Sequence, residues 1–434
     1  MSENVQTFES KWLGERYYRV LHASGLPVYV FPKEMTAAYA LFAVNFGEVD
    51  NAASAEGARP FPAGIAHFLE HKLFSNEDGS DSFERFSAYG ADANAYTSHT
   101  KTVYMFTATD RFDESFGELI DFVSHPYFTE ASVKKEKGII AEEIRMCRDN
   151  PYDRCYYNML EGLYHCHPIK TEICGSIRSV SEITAEMLYE CYNTHYHPEN
   201  MAVVVCGNVT VDAVMDIVNK RLPKAGPWQK PQRVTVDEPA TVHRDRVIDH
   251  GQVGKPIFSI GVKDVCIPTD TAARFQRDAA MAILSEMLFS ESGELYHSLL
   301  DRGMVSPDFS ASFALAKDFG FLQISGEADD PEAVLREVLD HLEQQRQNGL
   351  SAEDFERVRR VEYAECIKGY DSTEEIANTL LSFVFEGGEI FAYADLLRNM
   401  TFTDVQRLFE EFFVPSRFTL SVVYPNPKSE ETGD

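Results

Sequence analysis

Two histidines and a glutamate in residues 64–74, GIAHFLEHKLF, could together hold and use a metal ion. His67, Glu70 and His71 occupy positions i, i+3 and i+4, which lie at about 0°, −60° and +40° around a helix and so share one face. Two imidazoles one helical turn apart can bind one zinc ion, and a nearby carboxylate can take a proton from water. The pattern is the reverse of the commoner H-E-x-x-H. A solvated polar helix face is the alternative interpretation.

The apolar residues of the same segment predict the helix that positions this trio. They fall between about 100° and 240° around the helix, on the side opposite the ionisable groups. They are Ile65, Phe68, Leu69 and Leu73. One face of the helix is therefore predicted to pack on a core, and the other to face solvent or a cleft.

A catalytic zinc site needs a third protein ligand and leaves the fourth position to water. The best source is residues 133–147, VKKEKGIIAEEIRMC, whose spacing predicts a second helix. Its predicted buried stripe consists of Val133, Ile140, Ile144 and Cys147. Glu136 and Glu143 lie beside that stripe, whereas Glu142 points away from it. Without the histidine motif, Glu136 and Glu143 would be interpreted as the edge of a solvated helix.

The wider chain is predicted to contain two similar halves joined by a linker. Residues 221–246 hold four prolines and a glycine and lack periodicity, which favours neither helix nor central strand. The predicted units are residues 1–222, a linker at 223–245, and residues 246–434. Each half has a strand, two helices and a closing apolar strand; the strands lie at 103–109 and 201–206, and at 321–326 and 419–424. This order predicts a duplicated α+β fold with mixed, largely antiparallel sheets.

Composition excludes several functional classes. The chain of 434 residues is longer than one average domain. Its 40 Lys and Arg against 69 Asp and Glu give a net charge of −29, which would repel nucleic acid. No secretory signal or uninterrupted apolar stretch of about 18 residues is visible, so we expect no membrane span. The eight cysteines form no C-x-x-C pair. Reduced thiols and a cytoplasmic location are the simplest interpretation.

At these motifs the sequence resembles the pitrilysin and insulysin family of zinc metallopeptidases, which includes the mitochondrial processing peptidases. In that family H-x-x-E-H is followed by E-x-x-x-x-x-x-E, and here 71 residues separate His71 from Glu143. The resemblance implies that His67, His71 and Glu143 bind Zn²⁺. It also implies that Glu70 is the catalytic base and that Glu136 supports the ligands. The implied activity is hydrolysis of short or unfolded peptides; a structural or peptide-binding subunit that retains zinc is the alternative.

Two further segments extend the resemblance over the first half. Residues 90–104, GADANAYTSHTKTVY, are similar to the family's edge strand, to which an extended peptide adds by main-chain hydrogen bonds. Asn94 and Ala95 are the implied substrate contacts, although Asn94 alone would suggest a turn. Residues 192–208 resemble the strand that follows the family's Y-x-P-x-N-M pattern.

The second half departs from the active single-chain pattern of the family. Residues 280–289 hold no histidine, so one zinc site is expected. The family's substrate-binding Arg and Tyr, seven residues apart, are not both present: Arg302 is available, but Val305 stands about where the tyrosine belongs, and Tyr296 lies upstream. Chains of this length in the family form half of a clam-shell chamber. The resemblance therefore implies a heterodimer with a related chain that lacks the zinc motif, with a homodimer as the alternative.

Overall fold

The computed structural model describes residues 5–51, 60–234 and 236–427. The first half of the chain forms a sheet in the order β1-β2-β3-β7-β4-β6-β5, antiparallel except where β3 runs parallel to β7. The strands are β1 Val5–Ser10, β2 Glu15–Leu21, β3 Pro27–Pro32, β4 Ala38–Val44, β5 Asp92–Thr97, β6 Thr102–Ala108 and β7 Met201–Gly207. The predicted edge strand is thus β5, at one end of the sheet.

The helices of the first half are α1 Ile65–Leu73, α2 Ser82–Tyr89, α3 Phe112–Ser124, α4 Glu130–Asp149, α5 Pro151–Leu163, α6 Ile177–Glu182, α7 Ala185–His195 and α8 Val211–Arg221. All of them except α5 contribute buried residues to the main hydrophobic core of this sheet. The start of α4 is fixed by the Thr129 side chain, which accepts a hydrogen bond from the Ser132 backbone N–H. The two helices predicted around the zinc motif are therefore present as α1 and α4.

The second half repeats this plan with a sheet in the order β10-β11-β9-β12-β8. Its strands are β8 Arg246–Gly251, β9 Ile257–Lys263, β10 Ser310–Leu315, β11 Gly320–Glu327 and β12 Phe418–Pro425. Its helices are α9 Thr271–Phe289, α10 Glu294–Asp301, α11 Pro331–Asn348, α12 Ala352–Lys368, α13 Thr373–Glu386, α14 Ile390–Asn399 and α15 Phe402–Phe412. The edge hairpin β10–β11 precedes α11 and α12 as β5–β6 precedes α3 and α4. The predicted α+β class with two similar halves is confirmed.

One helix from each half packs on the sheet of the other half, an arrangement that we call the helix exchange. Helix α5 packs on β9 and β12 of the second sheet, and α13 packs on β4 and β7 of the first. Glycines allow the close approach of α5: a Cβ at Gly162 would overlap the side chain of Thr419, and a Cβ at Gly261 would lie 2.7 Å from the Cγ of Met159. The two halves are therefore held together by shared cores.

Substitution of Gly162 by Ala should weaken the packing of α5 on the second sheet. The added methyl group has no room against Thr419, and overpacking of this kind costs about 1–3 kcal/mol of unfolding free energy. Gly138 is the matched control, because it is exposed in α4 and a Cβ there would meet no atom within 4 Å. Gly138→Ala should stabilise by up to about 1 kcal/mol, because alanine favours helix. Equal midpoints of thermal unfolding for the two variants would contradict this packing.

The predicted linker holds no helix or extended strand within its described residues, yet it is fixed to both halves. The Glu238 carboxylate accepts hydrogen bonds from the backbone N–H groups of residues 165–167 and from Lys263 Nζ. Burial opposes ionisation, but these donors lower the pKa of Glu238 to about 2. Arg233 Nε donates to Asp50 at 2.8 Å. The domain boundaries at 222 and 246 stay a prediction.

In the part of the chain that the structure describes, no helix combines the length and apolarity needed to cross a bilayer.

Candidate metal centre

Helix α1 carries the H-x-x-E-H motif and is buried on both sides. It begins after Gly64, whose φ of +88° lets the chain turn into the helix. Phe68 and Leu69 are fully buried in the main core of the first half. On the opposite face, His67 is 7% exposed and Glu70 is 9% exposed. The ionisable face therefore lines a cavity and does not lie open to solvent.

Helix α4 brings Glu143 to the two histidines. His67 Nε2 lies 3.4 Å from Glu143 Oε1, and His71 Nε2 lies 3.5 Å from Glu143 Oε2. The contact with His67 lowers the pKa of Glu143 in spite of its partial burial, and the charge of His71 adds to this effect. Glu142 faces solvent and pairs with Arg145, as the helical register predicts.

Glu136 holds His71 from the other side of its ring. Glu136 Oε1 lies 3.2 Å from His71 Nδ1, and the buried Lys72 Nζ lies 3.5 Å from Glu136 Oε2. Burial alone would raise the pKa of Glu136, but His71 and Lys72 bring it below its usual value. When Nδ1 carries the proton and donates a hydrogen bond to Glu136, Nε2 keeps a free lone pair towards Glu143.

The donor set of His67, His71 and Glu143 fits zinc. Zinc bonds of about 2.0–2.1 Å at tetrahedral angles place two donor atoms about 3.3–3.4 Å apart. The two observed separations from nitrogen to oxygen, 3.4 and 3.5 Å, are close to that value. Two imidazoles and one carboxylate are also a common ligand set of catalytic zinc.

Glu70 is held beside these groups by the end of the edge strand. Its Oε2 accepts a hydrogen bond of 2.5 Å from the Oγ1 of Thr97, the last residue of β5. This bond fixes the direction of the carboxylate without adding a positive charge to it. Glu70 Oε1 is not engaged by that contact and can face a bound molecule in the cavity.

A cavity of about 750 Å³ opens over His67, Glu70, His71 and Glu143. Ala95 lines it, whereas Asn94 does not. The Asn94 side-chain oxygen accepts a hydrogen bond from the Ala95 backbone N–H at 2.9 Å. Of the two residues predicted to touch substrate, the structure therefore places only Ala95 at the cavity.

Several residues that line the cavity are not predicted by the sequence. Cys174, in the loop before α6, and Tyr157 and Arg154, on α5, line the same cavity. The Tyr157 oxygen accepts a hydrogen bond from the Ile173 backbone N–H, and Arg154 pairs with Asp249. Helical periodicity predicts Cys147 in the buried stripe of α4, but it is partly exposed and lines this cavity. The sequence offers no spacing signal for a loop cysteine or for a helix shared with the other half.

The second-half residues considered for substrate binding lie elsewhere. Arg302 directly follows α10 and forms two hydrogen bonds with Glu337, at 2.7 and 2.8 Å. Val305 is buried in the core of the second half, and the Tyr296 hydroxyl donates to the Pro307 carbonyl. None of these lines the cavity above the histidines.

Comparison with known proteins decides the family. The family model described as Insulinase (peptidase family M16) matches residues 59–176, and the one described as peptidase M16 inactive domain matches residues 182–362. YmfH of Bacillus subtilis strain 168, described as an uncharacterised zinc protease, is 35% identical over 427 residues, covering 97% of this chain and 99% of YmfH. The chain belongs to peptidase family M16. The resemblance drawn from the zinc motif is thereby confirmed.

Solved structures show how far the fold of this chain matches those of other proteins. A protein of Alicyclobacillus acidocaldarius described as M16-like has a TM-score of 0.89 and 33% identity, covering 98% of this M16 chain and 99% of that one. The periplasmic protease PqqL of Escherichia coli has a TM-score of 0.72 and 16% identity, covering 94% of this chain but 47% of PqqL. In fold, the chain corresponds to about half of PqqL.

Proposed function

We propose that this M16 chain is a zinc-dependent endopeptidase subunit that cuts short or unfolded peptides. The observation that carries the proposal is the meeting of His67, His71 and Glu143 in one cavity, at separations suited to a single zinc ion. Relatives described as zinc proteases, such as YmfH, support it. In this assignment the three residues are the metal ligands and Glu136 orients His71.

Zinc bound by these ligands would supply a Lewis acid that polarises water and the peptide carbonyl. Glu70, about one helical turn after His67 and directly before His71 in the sequence, takes the proton of the attacking water and passes it to the leaving amine. Thr97 keeps the Glu70 carboxylate aimed at the cavity through its hydrogen bond. Hydrolysis then consumes one water molecule and one peptide bond and releases a carboxylate and an amine.

The substrate peptide is proposed to bind along β5. This strand lies at the edge of its sheet, so its outer backbone groups can pair with an extended peptide. Ala95 borders the cavity, whereas the Asn94 side-chain oxygen is already bonded to the Ala95 N–H. Pairing with main-chain groups fits a peptidase that accepts many sequences.

The neighbouring glutamates of α4 give a matched test of the ligand set. Glu143→Gln removes the charge of the proposed third ligand and should weaken zinc binding about tenfold or more. Glu142→Gln makes the same chemical change on a solvent-facing side chain that pairs with Arg145, and should change zinc affinity little. Competitive metal titration measures both constants. A larger loss in the Glu142 variant would contradict the assignment.

We further propose that the active assembly is a heterodimer with a related chain. The cavity of this chain contains the zinc residues, whereas Arg302 and Val305 lie elsewhere and supply no Arg and Tyr pair. Half-length coverage of PqqL supports a partner that completes a two-chain chamber. Such a chamber would admit short or unfolded peptides. A homodimer is the alternative, and the cytoplasmic location stays a prediction.

The chain alone should therefore be weakly active or inactive. Loss of one donor to the developing oxyanion costs about 10² to 10³ in rate, and a related chain that lacks H-x-x-E-H but carries the Arg and Tyr pair should restore activity in a one-to-one complex. Light scattering combined with cleavage of a quenched peptide tests this. A purified homodimer that turns over on the order of 1 to 10 s⁻¹ would show that no such partner is needed.

A structural or peptide-binding subunit that retains zinc is the second candidate function. The match of residues 182–362 to the model described as an inactive domain favours it. The intact set of His67, His71, Glu143 and Glu70 in the first half favours catalysis. Bound zinc without peptide turnover, in the presence of the partner, would decide for the second candidate.

A further inference from the structure

Cys174 lies beside two of the proposed zinc ligands. The donor atoms of His67, Glu143 and Cys174 all fall within 4.8 Å of one another. His71 is not in that group of donor atoms; its Nε2 lies 3.5 Å from the other oxygen of the Glu143 carboxylate. Imidazole, carboxylate and thiolate are the three side-chain types that zinc binds in proteins. The cavity thus holds a fourth donor that the histidine motif does not provide.

The backbone around Cys174 is fixed against the start of the zinc-motif helix. A Cβ at Gly64 would lie 2.5 Å from the Cys174 carbonyl oxygen. A Cβ at Gly175, where φ is +70°, would overlap the Ala63 carbonyl. Because both contacts require glycine, the loop packs directly on the turn that begins α1. This packing holds the thiol close to His67, which lies in the first turn of that helix.

Cys147 provides an internal comparison for Cys174. It follows Glu143 by one turn of α4 and lines the same cavity. It is absent from the cluster of donor atoms around His67 and Glu143. The two cysteines therefore share an environment and differ in their distance from the ligands.

We propose that Cys174 is a fourth zinc ligand in the resting chain, and that it closes the position a catalytic water needs. The inference rests on the proposed zinc site. Four protein ligands make a closed site, and three with water make a catalytic one. On binding, the Cys174 thiol gives its proton to solvent; on release, it regains a proton and a water molecule takes its place. The resting subunit is latent until the thiolate leaves.

X-ray absorption at the zinc edge of the full-length, zinc-loaded chain tests this ligand directly. We expect one sulfur neighbour at about 2.3 Å beside nitrogen and oxygen at about 2.0–2.1 Å. The sulfur should persist in Cys147→Ser and disappear in Cys174→Ser. A wild-type spectrum with nitrogen and oxygen neighbours alone would overturn the inference and leave the zinc site standing. A chain that binds no zinc would overturn both.

A second measurement uses the wild-type chain and does not depend on how a variant folds. Alkylation of Cys174 by iodoacetamide, followed by mass spectrometry, should be slowed at least about tenfold by zinc, because a bound thiolate is shielded from the reagent. The exposed Cys166, which lies outside the cavity, should react at the same rate with and without zinc. Equal rates for Cys174 in the two states would contradict its role as a ligand.

Discussion

Replacing Glu70 by Gln should leave zinc bound while peptide hydrolysis falls by at least about 10²-fold, the scale of a lost general base. The amide keeps the size of the side chain and an oxygen that can accept the 2.5 Å hydrogen bond from Thr97. It cannot take a proton from water at neutral pH. The change therefore separates metal binding from chemistry within a single residue.

The assay for this variant uses the complex with the proposed partner chain and a quenched peptide, with zinc content measured on the same sample. Thr97→Val is the companion variant, since it keeps the Glu70 carboxylate but removes the hydroxyl that orients it. Its loss of turnover should be smaller than that of Glu70→Gln. Near-normal turnover in Glu70→Gln would show that another group accepts the proton.

Loss of both histidines should abolish zinc binding and spare the fold. In His67→Ala/His71→Ala the imidazoles proposed to bind the ion are gone, whereas Phe68 and Leu69 still pack in the main core. Thermal unfolding of zinc-free samples should therefore give similar midpoints for the variant and the wild-type chain. With zinc added, only the wild-type midpoint should rise, because a ligand that binds the folded state stabilises it.

Much of the site could be predicted from periodicity. The spacing within α1 and α4 determines which side chains share a face, and a rotation of about 100° per residue separates Glu143 from Glu142. The structure places Glu143 at the histidines and Glu142 in solvent. The duplicated α+β fold could also be predicted, because the periodic spacing of apolar residues and the turn residues repeat in both halves.

The helix exchange between the halves could not be predicted from the sequence. Apolar faces on α5 and α13 show that these helices are buried, but they do not show against which sheet. Helix α5 packs on β9 and β12 and brings Tyr157 to the cavity. The position of Cys174 at the cavity could not be predicted for a different reason. It lies in a loop, where position depends on glycine-dependent contacts such as that with Gly64.

Zinc content tests the central claim most directly. Elemental analysis of the purified wild-type chain, after removal of loosely bound metal, should give about one zinc per chain, and the His67→Ala/His71→Ala variant should give none. Circular dichroism of the same samples checks that the variant is folded. Full zinc occupancy in the folded double variant, or a wild-type chain that takes up no zinc, would contradict a metal centre at these residues.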